Sequence, residues 1–210
     1  MSLRTSIALG SMFVLMIGCR QSEFTVPQIR AGSEFEEFSR QTRELTEEPF
    51  LQFDAGVTLS DWQKLNVAKA ALIFEGMANF DDSSYLTYMG LGRCRFVLGE
   101  NQEAVEWLSK CIDRCKLDEQ IGKQTAAEAH FLIARCYRQM GEWLKALPEA
   151  TIATEMIPMS ADYWSELASA ELQLGMPENA VAHVKKALSL DPTHRYANQL
   201  DRLIKAAKKN

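Results

Sequence analysis

The chain has 210 residues, 47% hydrophobic and 24% charged, an ordinary globular balance far from that of a disordered chain, and it is too short for a catalytic assembly of several domains. Lys and Arg number 23 against 28 Asp and Glu, for a net charge of −5, and no basic stripe offsets it; this excludes the electrostatic footprint of a nucleic-acid binder. Gly (11) and Pro (6) are few, and Ala, Leu, Glu, Gln, Met and Lys dominate long stretches, which predicts helix throughout.

Residues 1–19, MSLRTSIALGSMFVLMIGC, carry one cation (Arg4), an apolar run from Ile7 to Ile17, and a small residue before Cys19. These are the three parts of an export signal, and the run falls short of the roughly 20 apolar residues a spanning helix needs. The ending Leu15-Met16-Ile17-Gly18-Cys19 resembles a bacterial lipobox, with Met16 where Leu, Val or Ile is usual. The resemblance implies removal of residues 1–18 and acylation of Cys19, so that acyl chains hold the mature protein on a membrane of the bacterial envelope. Arg20, where Asp would signal retention in the inner membrane, implies the outer membrane, facing the periplasm. The competing reading makes Cys19 the end of an ordinary signal peptide or of a buried apolar helix.

Residues 19–57 are polar and acidic, punctuated by Pro27, Gly32, Pro49 and Gly56, and read as a tether. Within it Ser33 and Glu36 form a capping-box pattern, and Phe35, Phe38, Thr42 and Leu45 follow at helical spacing, predicting a short amphipathic helix near 34–46. Next, Leu59, Trp62, Leu65, Ala68, Leu72 and Met77 mark a helical stripe over 58–80, the second helix of a degenerate repeat. The whole of 58–210 is expected to form one repeat domain.

Three units come into register when Gly99, Gly141 and Gly175 are aligned. The last, 161–194, carries Trp164, Leu167, Ala168, Gly175, Ala180, Val184, Ala187, Leu190 and Asp191-Pro192. The middle, 127–160, carries His130, Ile133, Ala134, Tyr137, Gly141, Ala146, Ala150, Ala153 and Pro158. The first, about 85–118, carries Tyr88, Leu91, Gly92, Gly99, Ala104, Leu108 and Cys111. These units resemble the tetratricopeptide repeat, which implies an all-α solenoid of helix hairpins. A capping helix is predicted over 195–208, with Tyr196, Leu200, Leu203 and Ile204 inward.

Small residues at Gly92, Ala134 and Ala168, and at Ala104, Ala146 and Ala180, let the two helices of each unit approach, so Leu at 146 or 180 should overpack the array. Gly99 to Gly141 is 42 residues and Gly141 to Gly175 is 34, so eight extra residues must enter an extended second helix or a loop around 116–123. Pro148 falls inside the expected second helix of the middle unit, where it should kink or unwind it.

Chemistry is thinly represented. His130, His183 and His194 occupy different repeat positions with no metal-site spacing, and phosphate loops, nucleophile elbows and zinc-protease signatures are missing. The chain is therefore expected to be no enzyme, with no metal and no cofactor. Cys94, Cys111, Cys115 and Cys136 fit small buried positions as free thiols; a disulfide between adjacent units is the other reading.

The resemblance implies that positions 2, 5, 9, 12 and 13 of each unit line a concave groove for other proteins. Here the candidates are Met89, Arg93 and Phe96, then Phe131, Arg135 and Arg138, then Leu172, a mixture of apolar sockets and arginines suited to an amphipathic segment bearing carboxylates. The Lys and Asn with which some family members clamp a chaperone's C-terminal carboxylate are replaced by Met89 and Arg93, Phe131 and Arg135, Ser165 and Ser169, so that activity is not expected. The function expected is a lipid-anchored envelope scaffold or assembly factor that binds other proteins; the alternative is a soluble adaptor or chaperone without an anchor.

Overall fold

A computed structural model describes residues 26–28, 32–81, 84–115 and 121–207. The predicted signal at 1–18, Cys19 and the residues beyond Ala207 lie outside the described residues. All regular structure among the described residues is helical: α1 (Gly32–Asp54), α2 (Asp61–Phe80), α3 (Tyr85–Val97), α4 (Asn101–Cys115), α5 (Ile121–Gln139), α6 (Trp143–Met156), α7 (Ala161–Gln173), α8 (Pro177–Leu190) and α9 (Arg195–Ala207). Consecutive helices pack as antiparallel hairpins, each hairpin leans on the next, and α9 closes the stack against α7 and α8. The fold class read from the sequence is the one observed.

Each hairpin turns by the same device. Gly99, Gly141 and Gly175 have φ of +81°, +75° and +75°, angles that disfavour any side chain. At the first of them Gly99 N–H donates to the Phe96 carbonyl (3.0 Å) and Glu100 N–H to the Arg95 carbonyl (2.9 Å), a Schellman closure that satisfies the last carbonyls of α3. Gly56 (φ +75°) repeats it between α1 and α2, with Gly56 N–H to Phe53 (2.9 Å) and Val57 N–H to Gln52 (2.9 Å). The helix over 58–80 is thus partnered by α1. Ser60 caps α2 through a reciprocal box with Gln63, while Ser84 and Ser160 cap α3 and α7.

The core runs along the hairpin interfaces, from Val67 and Ala71 through Leu91, Phe96 and Leu108 to Leu132 and Ile133, all buried. Ala146 and Ala180 are 1% and 0% exposed, as their role in close helix approach requires.

Three local expectations are corrected. α1 does not stop near 46 but continues through Pro49 to Asp54, because Phe50 and Phe53 beyond the proline pack on the core and hold the last turn. α6 is not unwound at Pro148: the ring sits on the exposed face, while Ala146, Ala150 and Ala153 anchor the opposite face. Part of the eight-residue surplus enters the first helix of the middle unit, since α5 begins at Ile121, six residues before the expected start of that unit. The small residue Gly122 permits this extension, because a Cβ there would stand 2.3 Å from the Cys115 carbonyl oxygen.

Candidate partner groove

The inner wall is built by the first helix of each hairpin, α3, α5 and α7, which contact one another in sequence, and by α1 and α9 at the two ends. The predicted groove residues divide into three groups. Met89 and Phe96 are buried, 8% and 1% exposed, as part of the floor. Arg93, Phe131, Arg135 and Arg138 are half-buried along the wall. Leu172 lies apart, packed with Ala168, Val184, Leu200 and Ile204 under α9.

Every arginine of the wall already has an acidic partner from the same chain. Arg93 pairs with Asp54 at the end of α1 and, at 3.4 Å, with Glu128 of α5; its guanidinium stacks 4.6 Å over the Phe50 ring. Arg135 lies 3.6 Å from the other oxygen of Asp54 and faces three rings, Phe96 at 4.8 Å, Phe131 at 5.4 Å and Phe53 at 6.0 Å. Burial pulls its guanidinium below the usual arginine range, against the opposing pull of Glu166 and Asp54. Arg138 donates from Nε to Glu166 (2.7 Å) and covers the Tyr196 ring at 5.4 Å. Glu166 is almost wholly buried, and desolvation raises its carboxyl above the ordinary value despite Arg138 and Arg135.

Aromatic residues complete the wall. Phe53 meets Phe96 edge-on at 5.4 Å, Phe131 tilts against Tyr163 at 4.9 Å, and the Tyr196 hydroxyl donates to Ser169 Oγ (2.7 Å). Burial pushes the Tyr163 phenol up to about 12.

Sequence reasoning missed Phe50, Phe53, Asp54 and Glu166. The signal for the first three was available: Phe50, Phe53 and Asp54 precede Gly56 by the spacings at which Arg93, Phe96 and Val97 precede Gly99. Treating 19–57 as a tether concealed that register.

The histidines pair singly with carboxylates across helices: His130 with Glu149 (2.6 Å), His183 with Glu171 (2.7 Å) and His194 with Asp162 (2.9 Å). Among the described residues no group of three or more His, Cys, Asp and Glu is placed to hold a metal ion, and no helix is long and apolar enough to cross a membrane. Cys94, Cys111, Cys115 and Cys136 are buried free thiols; burial raises Cys94 and Cys111 far above the usual range and Cys136 to about 12.

Residues 161–194 match the sequence profile of the tetratricopeptide repeat. Together with the hairpin stack, that match decides the architecture. The fold is a tetratricopeptide-repeat solenoid. Solved structures agree in fold: a MamA crystal structure is 20% identical, with a TM-score of 0.61 over 73% of this chain and 87% of that one. MamA from Desulfovibrio magneticus RS-1 is 15% identical, with a TM-score of 0.60 over 80% of this chain and 86% of that one. The first such domain of Spaghetti (RPAP3), bound to the HSP90 peptide SRMEEVD, is 19% identical, with a TM-score of 0.54 over 62% of this chain and 97% of that one. No curated protein matches this chain in sequence.

Proposed function

We propose that this tetratricopeptide-repeat protein is a scaffold or assembly factor of the bacterial cell envelope, anchored by acyl chains on Cys19 in the outer membrane, that holds segments of other proteins in its concave groove. Its work is binding, not catalysis. The observation that carries the reading is the inner wall itself, where Arg93, Arg135 and Arg138 alternate with Phe96, Phe131 and Tyr163 along the first helices of three successive hairpins. Arginine over aromatic faces recognises carboxylates and rings together. The RPAP3 repeat domain holds a peptide, which supports a peptide ligand for this groove as well. The envelope location rests on the Gly18-Cys19 ending and the apolar run before it.

Two measurements test it. Palmitate should label the chain and place it in the membrane fraction, and Cys19→Ala should abolish both. A photocrosslinker at Phe131 should capture a defined partner protein in cells, and Arg93→Ala with Arg135→Ala should remove the capture while the chain stays folded. An unlabelled, unprocessed chain in the cytosol would replace the envelope reading with that of a soluble adaptor. Unchanged capture in the arginine variant would end the groove reading.

A further inference from the structure

In a regular array the first helix of one hairpin touches the first helix of the next and goes no further. α1 goes further. Its last turn reaches α3 through Arg93 and Phe96, α5 through Arg135, and α9 through Arg195, whose Nη1 donates to the Ala55 carbonyl (3.0 Å). The segment 50–55 therefore meets Arg93, Arg135 and the Phe96 ring on the inner wall, groups that a partner would need.

The chemistry of the segment is that of a ligand. Phe50 and Phe53, three residues apart on one helical face, offer two rings to Arg93, Phe96 and Arg135. Asp54 follows with a carboxylate shared between the two guanidinium groups. Thr42 and Thr46 bury the body of α1, and Phe35 packs on Phe80 at 6.0 Å. Between that body and the last turn one backbone hydrogen bond is missing, because Pro49 has no N–H for the Leu45 carbonyl; beyond it the turn is held by its rings, by Asp54 and by Gln63, whose Nε2 donates to Gln52 Oε1 (2.8 Å).

We infer that Phe50–Asp54 is a built-in occupant of the groove, and that a partner enters by displacing it with a segment of the same chemistry: two aromatic side chains one helical turn apart, followed directly by a carboxylate. This rests on the groove-binding reading above and adds to it the class of ligand and the step that admits it.

The test uses the full chain and a fluorescent synthetic peptide of residues 47–57. Phe50→Ala, Phe53→Ala and Asp54→Ala together vacate the wall without touching its arginines, and fluorescence anisotropy should then show the peptide binding at least tenfold more tightly than to wild type. A peptide with Ala at 53 and Asn at 54 should lose that binding. A variant that still unfolds cooperatively and binds the peptide no better than wild type overturns the proposal. A second measurement needs no variant: excess peptide should raise deuterium uptake of wild-type residues 50–56 while sparing α7 and α8, and unchanged uptake overturns the proposal independently. Were the Phe131 crosslinker still to capture a partner while the peptide failed in both assays, the occupant would be refuted and the groove reading kept. Failure of both crosslinker and peptide would refute the two together.

Discussion

Gly92→Ala tests whether the hairpins are set by paired side-chain sizes. Gly92 in α3 faces Leu108 in α4; the equivalent pairs are Ala134 with Ala150 and Ala168 with Val184, so the smallest residue stands opposite the largest. A Cβ on Gly92 would lie 2.6 Å from Leu108 Cγ and 2.8 Å from Cδ2, and Leu108 is 0% exposed, with no room to retreat. Alanine gains about 1 kcal/mol of helix propensity over glycine. Overpacking costs on the order of 2 kcal/mol, so the single variant should be less stable by about 1 kcal/mol. Leu108→Val alone should cost about 1 kcal/mol for the lost methylene and the gap it leaves. The double variant recreates the pair found in the last unit, removes the clash and should return to within about 0.5 kcal/mol of wild type, a coupling of about 2 kcal/mol. Urea unfolding with a common m-value measures all four corners of the cycle. A Gly92→Ala chain more stable than wild type, or two strictly additive changes, would refute the argument from size.

Arg138→Ala should cost about 3 kcal/mol in the same assay, because it leaves the Glu166 carboxylate, 4% exposed, without its ion-pair partner, and Arg138→Lys should recover a large part of that loss. Glu166 also sets a pH dependence. Its folded-state value is raised above the ordinary 4.5, so the native state takes up a proton before the unfolded state does, and the contribution of this group grows as pH falls from neutral through the folded value towards 4.5. The stability difference between wild type and Glu166→Gln should therefore shift in favour of wild type between pH 7 and pH 5; a difference independent of pH would contradict this. The buried thiols Cys94, Cys111, Cys115 and Cys136 should react with a chromogenic disulfide reagent no faster than the chain opens, and rapidly in urea. A fast thiol among these four in the native protein would show an opening absent from the packing described.

The hairpin array was legible because its determinants are local: a glycine that closes a Schellman turn, small residues where helices cross, and a repeat of 34 residues. α1 was read too short because proline was weighed as a breaker by propensity alone, whereas Phe50 and Phe53 hold the turn beyond it by burial. The position of the surplus residues was open for a related reason. A surplus of helix-forming residues suits the end of α4 and the start of α5 equally, and the close packing of Gly122 on Cys115 is a tertiary fact. The arginines were identified as groove residues by register, but the acids that engage them are remote: Asp54 lies 39 residues from Arg93 and Glu166 lies 28 from Arg138. No local spacing rule reaches that far.

That remoteness bears on how the groove can work. An arginine wall without counter-ions would attract any acidic segment, and in a chain of net charge −5 it would attract the chain's own acids first. Asp54 and Glu166 are such acids, and they divide the wall into two unlike parts. Glu166 is buried beneath Arg138 and cannot leave without unfolding α7, so its pair belongs to the scaffold. Asp54 is 40% exposed at the end of α1, where solvent or another carboxylate can reach the guanidinium groups it engages, so its pair is exchangeable. An exposed ion pair contributes about 0.5 kcal/mol, an edge-on ring pair about 1 and a cation over a ring about 0.5 to 1. With the partial burial of the two rings, worth roughly another 2 kcal/mol, these hold the last turn of α1 in place by about 4 kcal/mol, so it leaves the wall in about one molecule in a thousand and lowers a competitor's apparent affinity by the same factor. A segment that offers only charge replaces the smallest of these contributions. One that brings both rings and the carboxylate replaces all of them, so the occupant selects for its own chemistry.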